Sequence, residues 1–231
     1  MLYIFDGIDL QNERLYDDML PFLSVQRLEK VNRLRSEITK RASLTVFMLL
    51  RLALWQIHGI NEAVEFEFGE FEKPRLMNHP DIFFSLSHSG NVAACAVSSN
   101  NIGVDVQKVK PIKNKLAKRV LTGEEYSIFL NSPKPDDYFC EIWTVKESFL
   151  KKSGDGLTKE LREISARNVT GINTIRGPEY YCSVCGGNGD EVNGGDRGEI
   201  KGSNSDVNII VKHVGGDDFE QFFGQTNKRL V

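Results

Sequence analysis

The apolar segment "FCEIWTVKESFLKKSGDGL" at 139–157 contains an indole, a carboxylate and an ammonium group at intervals of four residues. In a helix, positions i, i+4 and i+8 lie within a narrow stripe, so Trp143, Glu147 and Lys151 share one face. Glu147 can accept a proton from an attacking hydroxyl, and Lys151 can neutralise charge on a phosphoryl group. The spacing indicates phosphoryl-type transfer. An ordinary solvated Glu–Lys helix pair has the same spacing, and both interpretations stay open at this point.

A second acidic position lies in "IGVDVQ", where Asp105 and Gln107 are two residues apart. On a strand both side chains leave the same face, while Val104 and Val106 enter the core. If this strand packs against the helix, Asp105 and Glu147 meet. Such a pair suits Mg²⁺, which takes one or two protein carboxylates and fills its octahedron with water and phosphate oxygens. The alternative is that Asp105 only caps a turn.

A candidate anion site lies in "FFSLSHSGNVAACAVS", where Ser87 and His88 precede a glycine at the end of a predicted strand. Backbone N–H groups and an imidazole can meet an anion there. A local structural role for the histidine is the alternative, because its ring nitrogens can be satisfied within the turn. Four other basic residues could contact phosphate, although isolated charges on helices are ordinarily solvated: Lys73, Arg27, Lys30 and Arg41.

The elements that must position these residues follow from the hydrophobic pattern. The sequence predicts a strand at 2–6 and then two helices with apolar residues at helical spacing between 25 and 55, the second closed by Gly59. Four strands are predicted next, in "VEFEFGEF", "IFFSLSHS", "VAACAVS" and "IGVDVQ". Helical character returns in "PIKNKLAKRVLTGEEYSIFL" and "DDYFCEIWTVKESFLKK". Past Leu157 the signal weakens, and "VNIIVKHV" is a predicted returning strand.

Each half of the chain combines helices with several strands, which predicts an α+β fold of two similar lobes joined near 99–110. The first lobe is expected at 1–100 and the second at 101–231. Within the second, 186–206 is rich in Gly, Asn, Asp and Ser and is expected to be a flexible surface insertion.

Composition narrows the class of protein. The 231 residues are 40% hydrophobic and 26% charged, as in ordinary globular proteins, and a formal net charge of −3 gives no general attraction to nucleic acid or an anionic membrane. The longest apolar stretch, "LTVFMLLRLALWQI", is shorter than the roughly 20 residues of a spanning helix. The four cysteines are too sparse for a disulfide framework, and Cys182 and Cys185 lack the further ligands of a zinc site. We expect a cytoplasmic monomer.

The blocks "FFSLSHSG", "IGVDVQ" and "WTVKESFLKKSGDGL", in this order, resemble the three signature blocks of the 4′-phosphopantetheinyl transferases of the surfactin-synthetase-activating type. The resemblance covers roughly 20–160 and includes "KP" at 73–74. It implies a pseudo-twofold pair of α+β lobes with the active site, and coenzyme A, in the cleft between them. It also implies transfer of the 4′-phosphopantetheine arm to a serine hydroxyl of an apo acyl or peptidyl carrier protein, with release of adenosine 3′,5′-bisphosphate.

The resemblance assigns roles to the residues above. Asp105 and Glu147 would ligate Mg²⁺ with the coenzyme A pyrophosphate, and Glu147 would also deprotonate the carrier serine. Lys151 would contact the phosphate and steady the leaving group. His88 would bind the 3′-phosphate of coenzyme A. The other expected coenzyme A contacts are Lys73, Ser87, Arg27, Lys30 and Arg41.

Gln107 departs from the family pattern, since many bacterial members carry an acidic residue there. A neutral Gln can still offer an oxygen or hold a metal-bound water, because water commonly completes the shell of Mg²⁺. Two alternatives to the phosphopantetheinyl transferase function stay open. One is a non-catalytic module that binds coenzyme A or a carrier protein, and the other is a different Mg²⁺-dependent phosphoryl or nucleotidyl transferase. The sequence lacks a G-x-x-x-x-G-K-[ST] loop, which argues against a P-loop enzyme.

Overall fold

The computed structural model describes residues 1–7, 13–68, 73–154, 160–186 and 209–226. The predicted 186–206 insertion therefore lies, apart from its first residue, outside the described residues. The helices are α1 (Glu13–Met19), α2 (Val25–Asn32), α3 (Glu37–His58), α4 (Asn114–Val120), α5 (Gly123–Asn131), α6 (Pro135–Ser153) and α7 (Gly216–Thr226). The strands are β1 (Leu2–Phe5), β2 (Phe66–Phe68), β3 (Pro74–Leu76), β4 (Phe83–Ser89), β5 (Val92–Ser98), β6 (Gly103–Lys108), β7 (Ile172–Arg176), β8 (Tyr180–Cys185) and β9 (Val211–His213). The predicted mixed α+β class is confirmed.

The long helix α3 is the centre of the N-terminal core. It is apolar on nearly every side and is buried over most of its length, as such a helix must be. Its one central charge, Arg51, is 1% exposed and donates to the carbonyl oxygens of Phe22 and Asn61 at 3.1 and 2.7 Å. The helix ends where predicted, at Gly59, whose φ of 69° is a left-handed conformation that favours glycine. None of the helices in the described ranges is long and apolar enough to cross a membrane.

The first sheet has the strand order β4-β5-β1-β9. β1 pairs antiparallel with β5 and parallel with β9, so the late strand β9 joins the N-terminal half of the chain. α7 follows the same path, because Phe219 and Phe222 pack against Phe5 and Phe22 at centroid distances of 5.4 Å. The late segment 209–226 thus packs on residues of the predicted first lobe through β9 and α7, and Ile209 and Val211 also contact a cluster that includes residues of β6 and β8.

The second sheet has the order β6-β8-β7, and α6 packs against β6 and β8. The sequence predicted neither β7 nor β8. All six residues of β8 are buried, so the strand has no alternation of apolar and polar residues to reveal it. Cys182 and Cys185 project to opposite faces of this strand and join different hydrophobic clusters.

The two sheets meet along β4 and β6. The hydroxyls of Ser85, Ser87 and Ser89 accept hydrogen bonds from alternate N–H groups of β6. The donors are, in the same order, Val104, Val106 and Lys108, at 2.9, 3.2 and 3.1 Å. These three serines are the alternate residues of "SLSHS". Alternation on a strand gives them one common face, which is the face turned to β6. Side-chain oxygens thus replace the backbone carbonyls of an ordinary ladder at this seam.

Candidate active site

A glycine on β6 allows this strand and α6 to touch. A Cβ atom on Gly103 would lie 2.0 Å from the Ser148 carbonyl oxygen and 2.4 Å from the Lys152 nitrogen. No side chain fits in that space. The close approach brings Asp105, two residues further along β6, beside Lys151 of α6. The strand therefore packs against the helix, which is the condition that the sequence analysis set for Asp105 and Glu147 to meet.

Asp105 is the central carboxylate of the site and is only 6% exposed. Its Oδ1 atom accepts hydrogen bonds from Lys151 Nζ at 2.7 Å and from Ser87 Oγ at 2.8 Å. Its Oδ2 atom is buried and has no hydrogen-bond partner in the part of the chain that the structure describes. A buried polar atom without a partner is costly, so Oδ2 is suited to a ligand that brings positive charge.

Glu147, half-buried one turn before Lys151, is the second carboxylate. Burial raises its pKa above the ordinary value, and the negative charge of Asp105 raises it further, while Lys151 acts in the opposite direction. Asp105 and Glu147 are therefore close enough to feel each other's charge. A carboxylate with a raised pKa is a better proton acceptor than an ordinary one.

His88 lies at the exposed end of β4. Its pKa is lowered by partial loss of hydration and then by the positive charges of Lys151 and Arg27. The positive charges of Lys151 and Arg27 thus act on His88, and Lys151 is itself bonded to Asp105. Such positive charges attract anions, and a bound anion would favour the charged form of the imidazole.

Arg27 is 7% exposed and is largely committed to helix packing. Its Nη2 atom donates to the carbonyl and hydroxyl oxygens of Ser43 at 2.5 and 2.8 Å, and its guanidinium lies 4.9 Å from the ring centroid of Phe47. Lys30 and Arg41 also stand over aromatic rings, at 5.7 and 5.3 Å from the centroids. For these three residues a contact with coenzyme A stays a prediction.

Lys73 bridges the N-terminal half to the last turn of α6. Its ammonium donates to the carbonyl oxygens of Ile102 at 3.3 Å and Lys152 at 2.9 Å. Burial, followed by the charges of Arg75 and Lys152, lowers its pKa to about 8. An ammonium group has three donors, so one N–H of Lys73 has no partner among the described residues and could donate to a phosphate oxygen.

Gln107 lies on the same strand face as Asp105 and is half-buried. Its amide nitrogen donates to the Lys108 carbonyl at 3.2 Å, an assignment of nitrogen and oxygen that follows from this bond. The amide oxygen is therefore the atom available to an ion or a metal-bound water.

Ser87, which the sequence predicted as a coenzyme A contact, is 8% exposed and bonded to Asp105.

A cleft of about 750 Å³ opens on the other side of Glu147. Trp143 and Glu147 line it from α6, and its remaining walls are Leu116, Lys118, Arg119, Val120, Glu160, Leu161 and Arg162. Trp143 packs at 5.8 Å on Phe139, within a cluster built with α4 and α5. It therefore packs α6 against those helices. This cleft, whose lining combines apolar residues with three basic and two acidic side chains, was not identified from the sequence.

Sequence reasoning also missed a buried ion pair next to Glu147. Lys146 is 0% exposed and donates to Glu125 Oε2 at 2.6 Å, and to the carbonyl oxygens of Val120 and Leu161 at 2.8 and 3.1 Å. Both carbonyls belong to residues that line the cleft. The sequence feature that could have drawn attention to Glu125 is the T-x-x-E pattern at Thr122, which forms a capping box with Glu125 at the start of α5.

The donor set fits a magnesium ion better than a metal that needs a full protein cage. In the described ranges no three His, Cys, Asp or Glu side chains gather as a metal cluster. Mg²⁺ does not require one, since it is commonly held by one or two carboxylates together with water and substrate phosphates. Asp105, whose Oδ2 has no partner in the described residues, and Glu147, whose pKa is raised by the charge of Asp105, are the carboxylates that could supply such a set, with the Gln107 oxygen as a further donor.

Comparison with known proteins gives one consistent family. Residues 101–188, which include Asp105, Glu147 and Lys151, match the model of the 4′-phosphopantetheinyl transferase superfamily. A 4′-phosphopantetheinyl transferase of Bacillus subtilis is 37% identical over 155 residues, covering 65% of this chain and 69% of that protein. The 4′-phosphopantetheinyl transferase Sfp of Bacillus subtilis (strain 168) is 34% identical over 160 residues, covering 68% and 70%. The 4′-phosphopantetheinyl transferase HetI of Nostoc is 32% identical over 163 residues, covering 67% and 68%.

Proposed function

The chain belongs to the 4′-phosphopantetheinyl transferase superfamily, and from that premise we propose that it transfers the 4′-phosphopantetheine arm of coenzyme A to a serine hydroxyl of an apo acyl or peptidyl carrier protein. The resemblance drawn from the sequence is confirmed at the level of the family. The observation that carries the proposal is the buried Asp105, which is bonded to Lys151 on one oxygen and has no partner among the described residues on the other, and whose charge acts on Glu147.

The acidic pair is the proposed magnesium site. Asp105 Oδ2 and Glu147 would hold the ion, with Gln107 holding one of its waters. When bound, Mg²⁺ supplies positive charge to the oxygens of the coenzyme A diphosphate. The protein contributes Lys151, whose ammonium is already at the site and can follow the developing charge on the leaving phosphate.

Glu147 is the proposed general base. It takes the proton of the carrier serine hydroxyl, directly or through a water, as the serine oxygen bonds to the phosphorus of the phosphopantetheine arm. The bond from that phosphorus to the bridging diphosphate oxygen breaks. Adenosine 3′,5′-bisphosphate leaves with the electron pair, and Lys151 stabilises its charge. The raised pKa of Glu147 supports this role.

Coenzyme A is proposed to bind with its 3′-phosphate at His88, helped by the third N–H of the Lys73 ammonium. Arg27 adds positive potential to the same region, since its charge reaches His88. Lys30 and Arg41 are proposed as outer contacts. The proposed binding region is where β4 of the first sheet meets β6 of the second, between the two proposed lobes of the pseudo-twofold arrangement.

For the cellular location, the oligomeric state and the partners, we propose what the sequence predicted: a cytoplasmic monomer that acts on coenzyme A and a carrier protein. All four cysteines of the chain are free thiols and are buried, which supports a reducing compartment. The apolar residues of the cleft that Glu147 lines, together with Lys118 and Arg119, support contact with an apolar and acidic carrier surface.

The direct test of these roles is Glu147→Gln. We expect transfer to fall by about 10²–10⁴-fold, the usual contribution of a general base, while calorimetry shows coenzyme A binding within a few-fold of wild type. Glu141→Gln, on an exposed position of the same helix, is the matched control and should transfer normally. Equal loss of binding and transfer would make Glu147 a binding residue only. Tight coenzyme A binding by the wild type without transfer to any carrier would instead indicate a non-catalytic module.

A further inference from the structure

The seam between the two sheets is made by three serines of β4 that act in the same way. Ser85 accepts from the Val104 N–H at 2.9 Å, and Ser87 accepts from the Val106 N–H at 3.2 Å. Ser89 accepts from the Lys108 N–H at 3.1 Å. Each hydroxyl therefore satisfies a backbone donor of an edge strand that has no strand partner on this side.

Ser87 differs from Ser85 and Ser89 because its hydroxyl also donates a hydrogen bond to Asp105. Its hydroxyl donates to Asp105 Oδ1 at 2.8 Å while its oxygen accepts from Val106. With Ser87 8% and Asp105 6% exposed, this is a buried, charge-assisted bond of the stronger kind. The same Oδ1 atom also accepts from Lys151 at 2.7 Å. One carboxylate oxygen thus has two donors and the other has none in the described residues.

We propose that Ser87 is a positioning residue for the metal site and not a contact of coenzyme A. Together with Lys151 it fixes Oδ1, and a carboxylate held at one oxygen presents the other in a constant direction. The seam supplies the rigidity, because the Ser87 oxygen is itself tied to the backbone next to Asp105. This inference rests on the magnesium site of the proposed function.

The geometry argues against the role that the sequence suggested for Ser87. A serine hydroxyl has a single proton, and here Asp105 takes it. A phosphate oxygen can only accept, so it would have to displace the carboxylate from a buried position. Outer groups that orient metal ligands commonly change metal affinity by about 10–100-fold when they are removed.

The test compares Ser87→Ala with Ser85→Ala. Ser85 is 7% exposed and makes the same backbone contact, but it does not touch the carboxylate. We expect both variants to lower the melting temperature, Ser87→Ala by more than Ser85→Ala, because Ser87→Ala also removes the bond to Asp105. With coenzyme A present, calorimetry with Mn²⁺ as the probe should give a dissociation constant raised by about 10-fold or more for Ser87→Ala and unchanged for Ser85→Ala.

Equal Mn²⁺ affinities of the two variants would overturn the inference. A crystal structure of Ser87→Ala gives a second decision that needs no metal: a rotated Asp105 carboxylate supports the positioning role, and an unmoved one overturns it. If the wild type itself binds no Mn²⁺, the metal site of the proposed function fails. The orientation of Asp105 in the variant still decides what Ser87 does.

Discussion

Replacing Lys146 by Met should destabilise the protein and reduce transfer although Lys146 itself does not enter the proposed chemistry. The ammonium is 0% exposed and connects Glu125 of α5, the end of α4 and the Leu161 turn to α6, one residue before Glu147. Methionine fills a similar volume but donates no hydrogen bond. Glu125 would be left as a buried charge.

The magnitude follows from what remains around Glu125. Removing one partner of a buried ion pair costs about 3–5 kcal/mol. The Glu125 carboxylate keeps hydrogen bonds from the backbone N–H groups of Thr122 at 2.8 Å and Ala166 at 2.9 Å, which favours the low end. We expect a loss of about 3 kcal/mol, which for a chain of this size lowers the melting temperature by about 6–12 °C.

The effect should also depend on pH. Burial opposes ionisation of Glu125, but hydrogen bonds from Lys146, Ala166 and Thr122 outweigh it and hold the pKa below the ordinary 4.5. A lowered pKa in the folded state means that this stabilisation is present above pH 4.5 and is lost as the pH falls through the folded value. The difference between wild type and Lys146→Met should therefore be full near pH 7 and should shrink on acidification.

Urea unfolding of the wild type, Lys146→Met, Glu125→Gln and the double variant measures this directly. We expect the double variant to lose about 0.5–3 kcal/mol less than the sum of the single losses, because the second change removes the stranded charge. Strictly additive losses, or a loss for Lys146→Met below about 1 kcal/mol, would refute the reasoning about the buried pair.

Three further changes test other parts of the site. Gly103→Ala should cost about 1–3 kcal/mol and lower transfer, since its Cβ would overlap the Ser148 carbonyl at 2.0 Å; normal unfolding and transfer would argue against close packing of β6 on α6. Gln107→Glu should keep activity and change the Mg²⁺ dependence, so an unchanged metal titration would remove Gln107 from the site. Lys73 has a pKa lowered from 10.5 to about 8, so the unfolded chain binds more protons between these values and wild-type stability should rise with pH there. Lys73→Met should abolish that rise, measured as melting temperature between pH 8 and 10, and an identical slope in the variant would contradict it.

The sequence predicted those parts of the site that depend on local spacing. The stripe of Glu147 and Lys151 lies on the helix that its apolar pattern indicated, and "IGVDVQ" is a strand packed against that helix. "SLSHS" is likewise a strand with its serines on one face. These features need only the periods of a helix and a strand.

The remaining features depend on contacts between distant residues. β8 was missed because it is buried along its whole length, and β9 returns to the edge of β1 through a pairing that no local pattern encodes. The partner of Lys146 and the proton donated by Ser87 follow from packing across 21 and 18 residues of chain. Sequence reasoning therefore found the carboxylates and the lysine but not the groups that hold them.

The most direct test of the central claim is intact-mass analysis of apo acyl and peptidyl carrier proteins incubated with the protein, coenzyme A and Mg²⁺. The account predicts that at least one carrier gains the mass of a phosphopantetheine group, that EDTA prevents the gain, and that a carrier with its acceptor serine replaced by alanine stays unmodified. Unchanged masses across both carrier classes, with folded protein that binds coenzyme A, would contradict it.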